Sequence, residues 1–380
     1  MALMRFVVRG LLGLVIVLIV AVVGAIGYRA WRQHDNAQAL AIHTPNGVQE
    51  AMYVRLGGID QWVEIRGDNR DNPVILFVHG GPGSSESPLF SLFRPWEKDF
   101  TVVMWDQRCA GKTFVRNGKQ SCAGMSIAGV AQEGVELTEF VRKRLHKDKI
   151  VVLGHSWGSM VGLRMAYDRP DLFSTYVGTG QVVSIPEKEA VNYASAMARV
   201  RAAHDEAGVR ALQAVGPPPY RHAGDLFVER DWSRRYDIPA ERDLYSRFMP
   251  VGLSAPGWSL WEVYQYFQAS EYAEAATFDA DASYDARALG GKFPMPIFIF
   301  NGELDHVTPA VFAKQYVDGL EAPQKAFVSL TGAGHSAVLT EPDVFLRELV
   351  GRVRPIAIQA QSGTGASAPT SPAPALFPMQ

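Results

Sequence analysis

Lys149-Ile-Val-Val-Leu-Gly-His-Ser156-Trp-Gly-Ser-Met-Val-Gly-Leu163 is the stretch on which the reading of this chain turns. Ile150 to Leu153 is a short run of β-branched and apolar residues, the pattern of a strand buried on both faces in a parallel sheet. It runs straight into Gly154-His155-Ser156-Trp157-Gly158, and a helical segment from Ser159 to Tyr167 follows until Pro170 ends it. A turn this short forces its central residue into a strained backbone conformation, and the glycines two before and two after leave room for the crossing chain. Ser156 is therefore expected at the rim of a sheet and at a helix N-terminus, where developing negative charge is favoured.

On either side of this turn, strands and helices alternate. Met52 to Leu56 and Gln61 to Arg66 read as a hairpin about Gly57-Gly58, and Val74–Val78 and Phe100–Trp105 as buried strands. Met125 to Leu145 has helical spacing and a basic end, Arg142-Lys-Arg144, that suits the helix dipole. A short strand near Tyr176 to Gly178 follows. The rhythm resumes with strands at Pro296–Phe300 and Ala326–Leu330 and helices at Pro309–Leu320 and Asp343–Val353. Alternation of this kind predicts an α/β fold, a mostly parallel eight-stranded sheet with helices on both faces. Residues 51–181 and 293–355 form this core. Between them, residues 182–292 break the pattern with helical stretches, Pro217-Pro-Pro219 and many aromatics, and read as an inserted, mainly helical lid.

The ends of the chain have another character. Residues 10 to 28 carry no charge, and at about 1.5 Å each they span roughly the hydrocarbon thickness of a bilayer. Residues 1–29 are thus a membrane anchor, with the catalytic domain outside the cytoplasm, or a signal segment cut after Val23-Gly24-Ala25 and leaving a secreted protein. Arg5 and Arg9 on one side and Arg29 and Arg32 on the other give only a weak orientation. Residues 30–50 read as a polar linker. Residues 356–380, rich in Ala, Ser, Pro and Gly, read as a disordered tail. The net charge of −2 supplies no footprint for nucleic acid. Cys109 and Cys122 are the only cysteines, either a disulfide or two free thiols, and neither has a metal-ligand spacing. No metal or cofactor is expected.

A serine hydroxyl needs a base to act as a nucleophile. His335 lies in Thr331-Gly-Ala-Gly-His-Ser336, a Gly-rich loop directly after a predicted strand. Asp305, in Asn301-Gly-Glu-Leu-Asp305, sits past the carboxyl end of the preceding strand, where sites of open α/β sheets collect. Glu303 is the alternative acid, and His306 reads as a loop neighbour. Phe77-Val-His-Gly-Gly-Pro-Gly83 follows another strand end and lets the backbone approach a reacting carbonyl. Gly81 and Trp157, the residue after the serine, are the expected N–H donors of an oxyanion hole.

Together, His79-Gly-Gly-Pro-Gly83, Trp105-Asp-Gln-Arg108, Gly154-His-Ser-Trp-Gly-Ser159, Gly302-Glu-Leu-Asp305 and Gly332-Ala-Gly-His335 resemble the α/β-hydrolase fold, specifically its proline iminopeptidase-like group, over about residues 50–355. The resemblance implies a serine hydrolase with Ser156, Asp305 and His335 as its triad, releasing an N-terminal proline or small residue from peptides or amides. Cys109 and His155 stand where the family pattern carries glycine. The family holds the substrate's α-amino group with lid carboxylates, and Trp258-Ser-Leu-Trp261-Glu262 resembles that part of the lid. Glu262 and Trp261 are the substrate-binding candidates, with Glu271 near. A carboxylesterase or lipase-like hydrolase of small esters is the alternative, and a membrane-tethered binding protein without chemistry a third reading.

Overall fold

In the computed structural model, which describes residues 2–361, eight strands form one sheet. They are β1 (Val48–Leu56), β2 (Ile59–Gly67), β3 (Val74–Val78), β4 (Thr101–Asp106), β5 (Ile150–His155), β6 (Phe173–Thr179), β7 (Ile297–Gly302) and β8 (Lys325–Leu330). Their order across the sheet is β1-β2-β4-β3-β5-β6-β7-β8. β1 and β2 pair antiparallel, with Leu56 opposite Ile59 across Gly57 and Gly58, whose φ values of 52° and 82° suit glycine. β2 also pairs antiparallel with β4, and every later pairing is parallel. The hairpin is longer than its apolar residues suggest. On the edge strand β1, exposed residues (Gln49, Ala51, Tyr53, Arg55) alternate with covered ones, and the ladder continues through them.

Every residue of β3, β4 and β5 is buried, because helices cover both faces. Successive residues divide between two apolar layers. Leu76, Val78, Trp105 and Val152 pack into one, and Ile75, Phe77, Met104 and Val151 into the other. In the second layer Trp96 stacks on Phe345 with ring centroids 5.7 Å apart. Burying such a side chain contributes roughly 1.5–3 kcal/mol. The helix Ile127–Leu145 is capped by Ser126, whose Oγ accepts from Gly129 N–H, and ends at left-handed His146 (φ 54°) beside its basic turn.

Residues 182–292 leave the sheet after β6 and return before β7. They carry the helices Ile185–Ala202, Glu206–Val215, Ala223–Arg235 and Leu244–Leu253 and a long lid helix, Leu260–Asp281. This block has its own small apolar centre of Ala196, Met197, Val200 and Leu212.

Both chain ends depart from expectation. The N-terminal helix runs from Ala2 to Ala39, so the first part of the expected linker is helical. No Gly or Pro interrupts residues 28–39, and Gln33 and Asn36 hydrogen-bond to lid carbonyls. At the other end Arg354–Gln361 is a helix, because Ala357 is buried in the second layer and Ile356 packs against it. The rest of the expected tail, residues 362–380, lies outside the described residues.

Candidate active site

The site is assembled where β3, β5, β7 and β8 end. After β5 the chain turns at Ser156, with φ 53° and ψ −121°, directly into the elbow helix Trp157–Asp168. The flanking glycines are required by contact. A Cβ on Gly154 would lie 2.5 Å from Gly158 O, and one on Gly158 would lie 2.1 Å from Val78 O. Ser156 N–H donates to Thr179 O at 2.9 Å, and the Ser159 hydroxyl donates to Ser156 O at 2.6 Å. These bonds hold a strained residue in place.

His335 Nε2 lies 2.9 Å from Ser156 Oγ, and its Nδ1 lies 3.1 and 3.2 Å from the two Asp305 oxygens. With Nδ1–H donating to the carboxylate, Nε2 is left to accept from the serine hydroxyl. Asp305 is itself held by Val307 N–H (2.9 Å), Thr308 N–H (2.7 Å) and the Thr308 hydroxyl (2.6 Å). Burial pushes its carboxyl up, but the His335 charge and these hydrogen bonds prevail and leave it below the usual range. Burial likewise pulls the His335 imidazole down, and the adjoining Asp305 carboxylate outweighs it, leaving the imidazole above its ordinary value. Glu303, the alternative acid, instead accepts from Gly332 N–H at 3.2 Å. A Cβ at Gly302 would lie 2.1 Å from Gly334 O, and one at Gly180 2.8 Å from His335 Cε1, so both glycines make room for the histidine loop.

The loop after β3 closes the other side. A Cβ on Gly80 would lie 3.0 Å from Ser156 Cβ, and Gly81 (φ 110°) lines the same cavities as Ser156. His79 Nδ1–H donates to Gly80 O at 2.8 Å. Its Nε2 accepts from Gln107 N–H at 3.2 Å, and the Gln107 side chain donates back to His79 O at 3.0 Å. Burial holds the His79 imidazole below its ordinary value, as a neutral ring with one donor and one acceptor requires. The Trp105-Asp-Gln-Arg108 segment is thus a clasp. Gln107 grips His79, Asp106 accepts from Lys112 N–H at 2.7 Å, and Arg108 pairs with Glu133. Trp157 opens its helix, so its N–H has no preceding turn to bond to. Its indole donates to Asp281 of the long lid helix at 2.7 Å.

That helix also packs onto the glycine loop. A Cβ on Gly83 would lie 2.8 Å from Ala273 Cβ, Ser84 Oγ and Ser270 Oγ are 3.1 Å apart, and Cys109 Sγ lies 3.7 Å from Ala269 O. Cys109 and Cys122 are joined in a disulfide, with Cα atoms 4.7 Å apart.

Two cavities meet at Ser156. One, of about 450 Å³, runs under the lid past Pro218, Tyr220 and a buried ionic group. There Arg230 pairs with Glu189 (2.6 Å) and Glu229 (2.5 Å), and Lys188 also pairs with Glu189. Glu274 faces both cavities and accepts no hydrogen bond among the described residues. Burial pushes its carboxyl up to about 7, against the pull of Lys188 and Arg230. The second cavity, of about 440 Å³, is walled by Leu89, Phe248, Trp258, Tyr266 and Phe267.

The sequence singled out other lid residues, and the structure does not bring them here. Glu262 accepts from Ser259 N–H at 2.6 Å while Ser259 Oγ accepts from Glu262 N–H, a reciprocal helix cap. Trp261 is 60% exposed, and neither it, Glu262 nor Glu271 lines either cavity. Glu274, Asp281, Lys188 and Arg230 were missed. Their signal was faint: Ala269, Ala273 and Thr277 recur every fourth residue, marking the covered face beside which Glu274 stands.

Sheet order, elbow and strand-end residues together define a class, and the chain belongs to the α/β-hydrolase fold family, whose pattern matches residues 73–342. Among its relatives, the probable aminopeptidase YbaC of Bacillus subtilis is 26% identical over 308 residues, covering 79% of this chain and 94% of that one. The proline iminopeptidase of Lacticaseibacillus rhamnosus is 25% identical over 298 residues, covering 76% and 92%. The solved structure of a proline iminopeptidase-related protein from Thermus thermophilus superposes with a TM-score of 0.57 at 19% identity, covering 83% of this chain and 98% of that one. A bacterial membrane phospholipase A gives 0.58 at 17%, covering 92% and 98%. These two likenesses are of fold.

Proposed function

We propose that the protein is a serine hydrolase of the aminopeptidase type, acting by acyl transfer. His335 Nε2 takes the proton of Ser156 as Oγ bonds to the substrate carbonyl, and the Gly81 and Trp157 N–H groups meet the oxyanion. The imidazolium then gives that proton to the leaving amine as the C–N bond breaks. Water repeats the sequence on the acyl-enzyme and regenerates the serine. Asp305 fixes the tautomer and stabilises the imidazolium.

One observation carries the amine preference: Glu274, a carboxylate without a hydrogen-bond partner among the described residues, lines both cavities that reach Ser156. An α-ammonium there gains a charge-assisted partner, and the carboxyl gains a reason to ionise. A small N-terminal residue fits the first cavity. The test is hydrolysis of Pro-β-naphthylamide beside p-nitrophenyl acetate, with Glu274→Gln. Selective loss on the amide supports the reading; hydrolysis of the ester alone, unchanged by the substitution, defeats it. The second cavity's apolar walls favour a carboxylesterase as the second reading.

The N-terminal helix is long and apolar enough to cross a membrane, with mean hydropathy 2.9 and none of its apolar window buried. We read it as an uncleaved anchor with the catalytic domain outside the cytoplasm. The Cys109–Cys122 disulfide supports that side, since such bonds persist in oxidising compartments.

A further inference from the structure

The uncharged run of the N-terminal helix ends at Tyr28, and the next residue already touches the lid. Arg29 donates to Leu253 O at 2.9 Å, Gln33 to Ala255 O and Trp258 O at 2.7 Å each, and Asn36 to Ser254 O at 3.0 Å. Spaced by four and three residues, these side chains share one helix face. The lid segment 253–258 is therefore gripped at the level where the helix leaves its apolar stretch, and the helix continues unbroken to Ala39.

The long lid helix starts directly after that segment. Its first turns leave Leu260 (52%), Trp261 (60%) and Tyr264 (54%) exposed, with the Trp261 and Tyr264 rings 5.5 Å apart. Leu260, Tyr264 and Phe267 follow helical spacing, so the exposed residues form a face rather than a scatter. Two turns of helix advance only about 11 Å, which keeps this face close to the level of Arg29. Phe267 belongs at once to this face and to the wall of the second cavity, and Tyr245 and Phe227, both exposed, line that cavity as well. Trp and Tyr beside an apolar span are the side chains that settle at a lipid–water boundary.

We propose that this face of the lid rests on the bilayer the N-terminal helix enters, and that the second cavity opens toward it, so the substrate brings an apolar arm from the membrane to Ser156. The proposal rests on reading the helix as an anchor. It extends the hydrolase reading by naming the substrate class, an amphiphilic amide or ester. The occupant is lipid because the face continues the level at which the spanning segment ends.

The test uses the full chain, one copy per phosphatidylcholine–phosphatidylglycerol nanodisc. With Cys109 and Cys122 paired, Tyr264→Cys offers one free thiol for an environment-sensitive nitrobenzoxadiazole label. Lys292→Cys is the reference, since Lys292 is highly exposed and precedes β7, at the end of the sheet away from the site. Lipids spin-labelled near the head group should quench the label at 264 at least twofold and leave that at 292 unchanged. A label at 264 that is unquenched by lipid and as open to aqueous iodide as the one at 292 overturns the proposal. So does protection that appears only when two copies share a disc, which would assign the face to a second chain. In a second arm, Leu260→Asp with Tyr264→Asp should leave p-nitrophenyl acetate turnover unchanged and slow a vesicle-borne dodecanoate ester at least tenfold; an unchanged rate on both overturns it. If the double variant does not fold, the quenching arm decides alone. Quenching in a protein with no hydrolysis of either ester would separate failure of the hydrolase reading from failure of this one. Extraction of the protein from membranes by alkaline carbonate would instead remove the anchor on which the proposal stands.

Discussion

Around Ser156 the core is packed backbone on backbone at glycines 154, 158 and 302, and backbone on the His335 ring at Gly180, so a single added carbon at any of the four would collide. Across the cavities, the lid holds Lys188, Glu189, Glu229, Arg230 and Glu274 in a partly paired charge cluster, and its outer face shows aromatic rings to solvent. The first region tolerates one geometry, which suits a proton path whose atoms must lie within hydrogen-bond distance. The second is built from side chains that can re-pair, which suits choosing among substrates. Changes in the core should therefore remove reaction on every substrate, and changes in the lid should alter which substrate reacts.

The sharpest way to break that division is Ser156→Ala. It should lower turnover of amide and ester alike by about 10⁶-fold, with loss of labelling by a fluorophosphonate probe. Asp305→Asn should cost roughly 10⁴-fold on both, measured as kcat. It should also move the pH profile in a known direction. On the proposed mechanism the base works as neutral imidazole, so activity should fall as pH drops through the His335 pKa. Asp305 raises that pKa and burial lowers it, so removing the carboxylate charge should shift the acidic limb of the residual activity to lower pH.

In the lid, Glu274→Gln should raise KM for an N-terminal-amine substrate by about 10- to 100-fold and leave ester hydrolysis nearly unchanged. Burial pushes the wild-type carboxyl up to about 7, so KM for the amine substrate should rise as pH falls through that value. The variant should lack this dependence. A Glu274→Gln protein that loses amide and ester equally would erase the distinction between the regions. The smallest effect on turnover is expected from Cys109→Ser with Cys122→Ser, which releases a loop of 13 residues' separation. It should lower stability by about 3 kcal/mol, read as a fall in Tm, with the substrate ratio retained.

The same division explains what could be read beforehand. Each core motif is local: a strand, a tight turn and a helix in the single run Ile150–Asp168 announce Ser156, and Asp305 and His335 each follow a strand end. The lid cluster has no such signature, because Lys188, Arg230 and Glu274 come from three helices that only tertiary packing brings together. Ser259-Leu-Trp-Glu262 was legible in another sense. A serine followed three residues later by glutamate at the start of a helix is a capping pair, and Glu262 is occupied in that role. The continuation of the N-terminal helix past Tyr28 likewise depends on carbonyls of a loop more than two hundred residues away.

The long lid helix has a mechanical consequence. Ala269 meets Cys109, Ser270 and Ala273 meet the glycine loop, and Asp281 takes the indole hydrogen of Trp157. Fastened along its middle and at its C-terminal end, that length of it moves with the sheet as one body, like the fixed jamb of a door. Any widening of the mouth that admits a substrate must then come from the helices between residues 206 and 253 swinging against it, so access is one-sided.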